Sequence, residues 1–197
     1  VTIRGSIGLS SGMSTVRLGL GNRNFVPPAG NMVANWAGAG TGGTSGLPDD
    51  WTATSVAGVT FSVLSRTPYK GGTIIEFQFA GTASAGGACF IRPASLLAVA
   101  APGQVWRHRV FSEAVGVPSP SQMELRLHWS DAAQAFLSAG SIAGMGGAMA
   151  GPEIAPADSV APAGAAYCRL FFYLLVNSGQ SINLRYKVFA PTLRRIS

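Results

Sequence analysis

Acidic side chains are scarce: a chain of 197 residues carries eight carboxylates against fourteen Lys and Arg, for a formal charge of +6. Cysteine is scarcer still, with only Cys89 and Cys168. Two thiols exclude a disulfide framework, and no CxxC or Cys/His spacing offers a zinc site. Both lie in apolar, strand-like runs, so buried free thiols are the expectation and a single bridge is the alternative. Charged residues of either sign make up 11% of the chain and apolar residues 47%, which excludes ordinary disorder. Long apolar runs are also missing. The best, CRLFFYLLV (168–176), contains Arg169 and stops at Asn177, far short of the roughly 20 residues of a membrane helix. No membrane insertion is expected, and no signal-peptide pattern opens the sequence.

Catalytic signatures are absent as well. There is no HExxH, no P-loop and no GxGxxG between strand and helix. The two histidines, His108 and His128, have no Ser or Cys in a nucleophile-elbow context nearby. A glycosidase carboxylate pair would have to come from Asp49, Asp50, Glu124 or Asp131, and such pairs arise by chance on any surface. The expectation is a protein that is not an enzyme and uses no cofactor and no metal. Asp49-Asp50 could offer oxygen atoms to calcium but lacks the alternating donors of a dedicated loop; a turn capping the strand at Trp51 is the plainer reading. The basic residues are dispersed, with clusters only at Arg107/Arg109 and Arg194/Arg195, so nucleic acid is not an expected partner.

What the chain does have is glycine (26) and proline (12), which punctuate short strands. Residues 1–30 end in Pro27-Pro28 and bury little alone, so they read as a connector docked on something else. Residues 31–197 read as one domain. Period-two alternation predicts strands at 59–64, 73–80, 87–92, 104–113, 122–129, 166–177 and 181–189. In 122–129, Met123, Leu125, Leu127 and Trp129 face inward; in 181–189, Ile182, Leu184, Tyr186 and Val188 do. The run 166–177 is apolar on both faces, as a central strand would be. Ser178-Gly179 predicts a tight hairpin joining the last two strands. The Ala/Gly-rich span 132–165 reads as a long loop, with one short helix or strand near Phe136 to Ile142. The fold expected is all-β, an antiparallel β-sandwich of jelly-roll type.

The alternation leaves Glu76, Gln78, Arg107, Arg109, Glu124, Arg126, His128, Asn183, Arg185 and Lys187 off the core. They make either a solvated outer face or a shallow polar platform for sugar or a neighbouring subunit. Trp129 is core. Trp36 and Trp51 pin the two ends of the glycine-rich loop in NMVANWAGAGTGGTSGLPDDW (31–51), which lets the chain cross between sheets. Trp106 is readable either way. The candidate ligand-binding set is therefore Trp106, Arg107, Arg109, Glu124, Arg126, His128 and Tyr69. Aromatic rings stack on the apolar faces of pyranoses, while Arg, Glu and His bond hydroxyls.

The order Asn31-Met32-Val33-Ala34-Asn35, glycine-rich loop, Leu47-Pro48-Asp49-Asp50-Trp51, then GGTIIEFQFAGTASA and AVAAPGQVWRHRVF, resembles sandwich modules of phage and prophage tail-fibre and spike proteins. Those modules look like the jelly-roll carbohydrate-binding domains appended to glycosidases. The resemblance covers about residues 31–190. It implies a virion-associated attachment module, extracellular on release, that binds cell-surface polysaccharide without cutting it. Its basic charge would favour an acidic polysaccharide. Its partners would be other virion subunits in a homotrimer or another symmetric oligomer. Arg107-His108-Arg109 departs from the small or polar residues such modules carry after Pro-Gly-Gln-x-Trp. The rival expectations are a structural virion subunit without a glycan ligand and an extracellular module cut from a larger glycosidase.

Overall fold

A computed structural model describes residues 46–48, 50–94, 98–116 and 122–197. The connector at 1–30, Trp36, Asp49 and most of the glycine-rich loop lie outside the described residues. The described part is an antiparallel β-sandwich. One sheet has seven strands: β1 (Trp51–Thr54), β4 (Gly87–Pro93), β11 (Tyr167–Val176), β7 (Glu124–Ser130) and β8 (Phe136–Ala139) in that order, with β5 (Ala98–Val99) on β11 and β9 (Ala143–Gly144) on β7. The other has five, ordered β10 (Ser159–Val160), β6 (Val105–Ala114), β12 (Ser181–Arg195), β3 (Gly72–Thr82) and β2 (Val59–Tyr69).

The alternation read from the sequence produces the core. Met123, Leu125, Leu127 and Trp129 from β7 face Ile182, Leu184, Tyr186 and Val188 from β12, and all eight are buried. Each such side chain taken from water stabilises the fold by about 1.5–3 kcal/mol before the entropy of ordering is set against it. Trp106 of β6 meets Trp129 edge-on, with ring centroids 6.5 Å apart, so the two sheets interlock through these rings. The Tyr186 hydroxyl accepts a hydrogen bond from the Met123 backbone N–H at 3.1 Å, a polar tie across an otherwise apolar interior. Trp51 stacks on Phe172 at 5.5 Å, which is the anchoring role expected of it. The Trp51 N–H donates to the Pro48 carbonyl at 3.1 Å, where the chain enters β1. Cys89 and Cys168 are both buried and free.

Local chemistry sets the joints. Strands β2 and β3 meet in a two-residue hairpin at Lys70-Gly71, both with positive φ (47° and 78°), the geometry whose twist suits adjoining strands. At the other end of that hairpin Gly81 has φ 133°, and a Cβ there would lie 2.2 Å from the Gly58 carbonyl oxygen, so only glycine fits.

Two expectations change. Asn177 to Gln180 does form a turn, with Gly179 at φ 77°, but it is not a hairpin: β11 and β12 belong to opposite sheets. The turn is instead held by reciprocal backbone bonds to Ala83, which steer the chain across the sandwich. The span 132–165 is also more than a loop. It supplies β8, β9 and β10, buries Met145, and bridges Ile154 to Val110, thereby closing one edge of the sandwich. Backbone pairing rather than a hydrophobic stripe holds it, which is why its periodicity is weak.

Candidate functional site

The seven residues expected to bind ligand do not share a surface. Trp106 is 0% exposed and packs in the core, so its ring cannot stack on a sugar. The inward position follows from its place on β6, in step with buried His108 and Val110. Arg107 and Arg109 project from the outer face of the five-stranded sheet. Glu124, Arg126 and His128 project from the outer face of the seven-stranded sheet, on the far side of the sandwich. The single polar face expected from ten off-core residues is thus two opposite faces. Tyr69 stands with neither group; it meets Phe189 edge-on at 5.1 Å in a small apolar cluster with Phe111 and Ala190.

On the five-stranded face four carboxylates are each paired with a cation, while Arg194, opposite Arg107 in the β6–β12 ladder, adds positive charge beyond them. Arg107 grips Asp158 with two hydrogen bonds of 2.8 and 2.7 Å, and Arg109 meets Glu153 at 3.1 Å. The Asp158 carboxyl is held below its ordinary range by that Arg107 bond. Lys187 reaches Glu113 at 3.3 Å. Glu76, 7% exposed, accepts from Arg185 at 2.5 Å and from the Ser65 hydroxyl at 3.0 Å. Gln78 donates to Asn183 at 2.7 Å. These donors and acceptors have each other, as on a solvated outer face.

The seven-stranded face has a different chemistry. Strand β11 is central, as read, yet among the described residues no element packs over its second apolar face. Phe171 and Tyr173 are half-buried and Leu175 is 61% exposed. Register places Tyr173 beside Phe90 of β4 and Glu124 of β7, and Arg169 directly opposite His128. The His128 imidazole stacks on Phe171 at 4.1 Å, with Phe136 at 4.9 Å on the neighbouring strand. Phe90 meets Phe171 edge-on at 5.4 Å. Guanidinium groups lie among these rings: Arg126 is 4.1 Å from the Tyr173 centroid, and Arg92 is 5.7 and 5.9 Å from Phe90 and Phe171. Arg126 is also bonded to Glu124 at 2.6 Å.

At one end of this strip His128, Ser130, Gln134, Phe136, Arg169 and Phe171 line a pocket of about 160 Å³. Nε of Arg169 and Nε2 of His128 are both buried there, without a hydrogen-bond partner among the described residues. Burial, helped by the Arg126 charge, pushes the His128 pKa down to about 4, so the ring is neutral at physiological pH. Among the described residues no group of three or more His, Cys, Asp or Glu is arranged to hold a metal ion.

Of the expected set, the structure brings together Glu124, Arg126 and His128. It adds Phe90, Arg92, Phe136, Arg169, Phe171 and Tyr173, which the sequence reading missed. The signal lay in β11 itself. A cationic Arg169 between Tyr167 and Phe171 on one alternation phase marks a face that cannot be sealed in a core.

No protein-family model matches the sequence, and no curated protein matches it. Among solved structures, the chain is similar to the enzymatically active domain of tailspike protein 4 from bacteriophage CBA120, with 14% identity and a TM-score of 0.47, covering 84% of this chain and 21% of that one. It is similar to a carbohydrate-binding module of the β-sandwich superfamily, at 11% identity and a TM-score of 0.47, over 84% of this chain and 61% of that one. It is also similar to the CBM22-1 xylan-binding domain from Paenibacillus barcinonensis, at 11% identity and a TM-score of 0.44, over 89% of this chain and 98% of that one. The chain thus spans about a fifth of the tailspike domain's length and three fifths of the first binding module's.

Proposed function

We propose that the chain is a non-catalytic attachment module that binds cell-surface polysaccharide through the outer face of the seven-stranded sheet. One observation carries this reading: Phe90, Tyr173, Phe171, His128 and Phe136 form a partly exposed aromatic strip, interleaved with Arg92 and Arg126. Ring faces offer apolar area to pyranose C–H groups, and the guanidinium and carboxylate groups beside them can bond hydroxyls. Rigid strands hold the array, so little ordering cost falls on binding.

A virion fibre or spike is the setting the sequence resemblance supports, in a symmetric oligomer where several weak sites act together. Calorimetry of the purified protein against a panel of bacterial capsular and lipopolysaccharide oligosaccharides tests the reading. Binding in the millimolar to micromolar range, lost in F171A and Y173A variants of unchanged thermal stability, supports it. Absence of binding across the panel, in the assembled form too, removes it.

The rival is a structural virion subunit whose apolar surface meets a neighbour. It draws on Leu175 and Val99, exposed at 61% and 70% on strands of the same sheet. A stable oligomer in sedimentation that dissociates on L175E substitution, together with no glycan binding, would favour it.

A further inference from the structure

Among the described residues no carboxylate pairs with the Arg169 guanidinium. It forms no ion pair and no hydrogen bond among the described residues, and its Nε is buried. Among the described residues five carboxylates are paired elsewhere: Glu76 with Arg185, Glu113 with Lys187, Glu124 with Arg126, Glu153 with Arg109 and Asp158 with Arg107. Asp131, at the end of β7, caps the backbone N–H groups of Ala133 and Ala135 at 2.9 Å each. A buried donor of this kind costs stability unless something satisfies it, and a charged one costs more.

The surroundings describe what would satisfy it. Directly across the β7–β11 ladder stands His128, whose Nε2 is likewise buried and unpartnered. Both side chains line the same pocket, with the Phe171 and Phe136 rings as apolar walls and Ser130 and Gln134 as further polar groups. At about 160 Å³ the pocket is small beside the roughly 300–1,000 Å³ of drug-sized sites and suits one sugar unit rather than a long chain. The neighbouring Arg92 has ring contacts but no carboxylate partner among the described residues, so the strip carries excess positive charge.

Resting on the polysaccharide reading above, we infer that this pocket selects a carboxylate-bearing sugar, a hexuronate, with Arg169 as its charge partner. The planar guanidinium fork matches a carboxylate, whereas a neutral hydroxymethyl group would leave the charge unmet. The His128 ring nitrogen bonds a hydroxyl or ring oxygen of the same unit. Its stacking on Phe171 fixes the ring plane, so the nitrogen is presented without prior reorganisation.

The test uses calorimetry on the whole chain with pectate, alginate and hyaluronan tetrasaccharides, each against its carboxyl-reduced form. At least one acid form is expected to bind ten-fold or more tightly than its reduced counterpart, with affinity falling as salt rises. R169Q should bring that ratio close to one and R169K should restore part of it. R107Q, on the opposite face, should leave the ratio as it is. Equal binding of acid and reduced forms, or an R169Q ratio like that of the parent, overturns the hexuronate inference while the broader polysaccharide reading stands. No binding to these probes overturns the inference; binding of a neutral oligosaccharide in the wider panel would then keep the broader reading alive.

Discussion

The imidazole of His128 lies nearly parallel to the ring of Phe171, 24° apart in plane and 4.1 Å between centroids, across the β7–β11 ladder. Neither ring is in the core. Their contact exists because β11 places a second set of aromatic residues on the outside of the sandwich; contiguous exposed aromatic surface of this kind often marks a binding site.

If that strip is the ligand surface, F171A should weaken oligosaccharide binding about ten-fold or more, the scale of a central aromatic anchor. Because Phe171 is half-buried on an outer face, the melting temperature should change far less than for a core substitution. Calorimetry paired with thermal denaturation reads both, and a variant that binds like the parent would shift attention to the five-stranded face.

Substituting Arg107 and Arg109 together by Gln should leave ligand affinity unaltered. Their guanidinium groups are committed to Asp158 and Glu153, and they lie on the opposite side of the sandwich from the aromatic strip. Ion pairs this exposed are screened by solvent and add little, so stability should fall only slightly. A marked loss of binding would contradict the two-face layout.

Stability should decline between pH 6.5 and 4. Burial pushes the pKa of His108, 1% exposed, down to about 4, and that of His128 likewise. Above pH 6.5 both rings are neutral whether the chain is folded or not. As pH falls below that value the unfolded chain takes up protons that the folded one refuses until about pH 4, so folding loses free energy across this window. For His108 the loss is on the order of 3 kcal/mol. Its Nε2 faces the Ser141 carbonyl at 3.0 Å while Nδ1 has no partner, so protonation would add an unpaired buried donor. Denaturation midpoints at pH 7, 5.5 and 4 should descend, and H108Q should flatten the profile.

W106A should destabilise the fold by about 3–5 kcal/mol, the range for a fully buried large aromatic. The ring spans the layers and meets Trp129 edge-on. Chemical denaturation measures the change; a loss below about 1 kcal/mol would mean the ring is not the interlock described above.

Alanine at Gly81 should be nearly as damaging. The added Cβ would meet the Gly58 carbonyl oxygen at 2.2 Å, at a φ of 133° that other residues avoid. A cost above about 2 kcal/mol is expected, read as a lower midpoint in denaturant.

Much of this architecture was legible in the alternation of individual strands. Met123, Leu125, Leu127 and Trp129 point inward as their spacing requires, because a strand's side chains can only alternate. The site was less legible. Alternation tells which residues avoid the core but not which sheet a strand joins, so Arg107 and Arg126 read as neighbours although a whole sandwich separates them. The same gap made Ser178-Gly179 read as a hairpin, since a tight turn has one local chemistry whether the chain returns to the same sheet or crosses to the other.

By itself, then, the sequence determined that this chain forms antiparallel strands around one apolar interior, because period-two patterning and turn chemistry act over a few residues. Only the tertiary structure decided that Trp106 is sealed inside, that Asp158, Glu153, Glu113 and Glu76 are each paired with a cation on the five-stranded face, and that Phe171, His128 and Arg169 meet on the other side. Those outcomes depend on strand order, which pairs residues far apart in the chain, as β7 and β11 do, and no local pattern encodes that pairing.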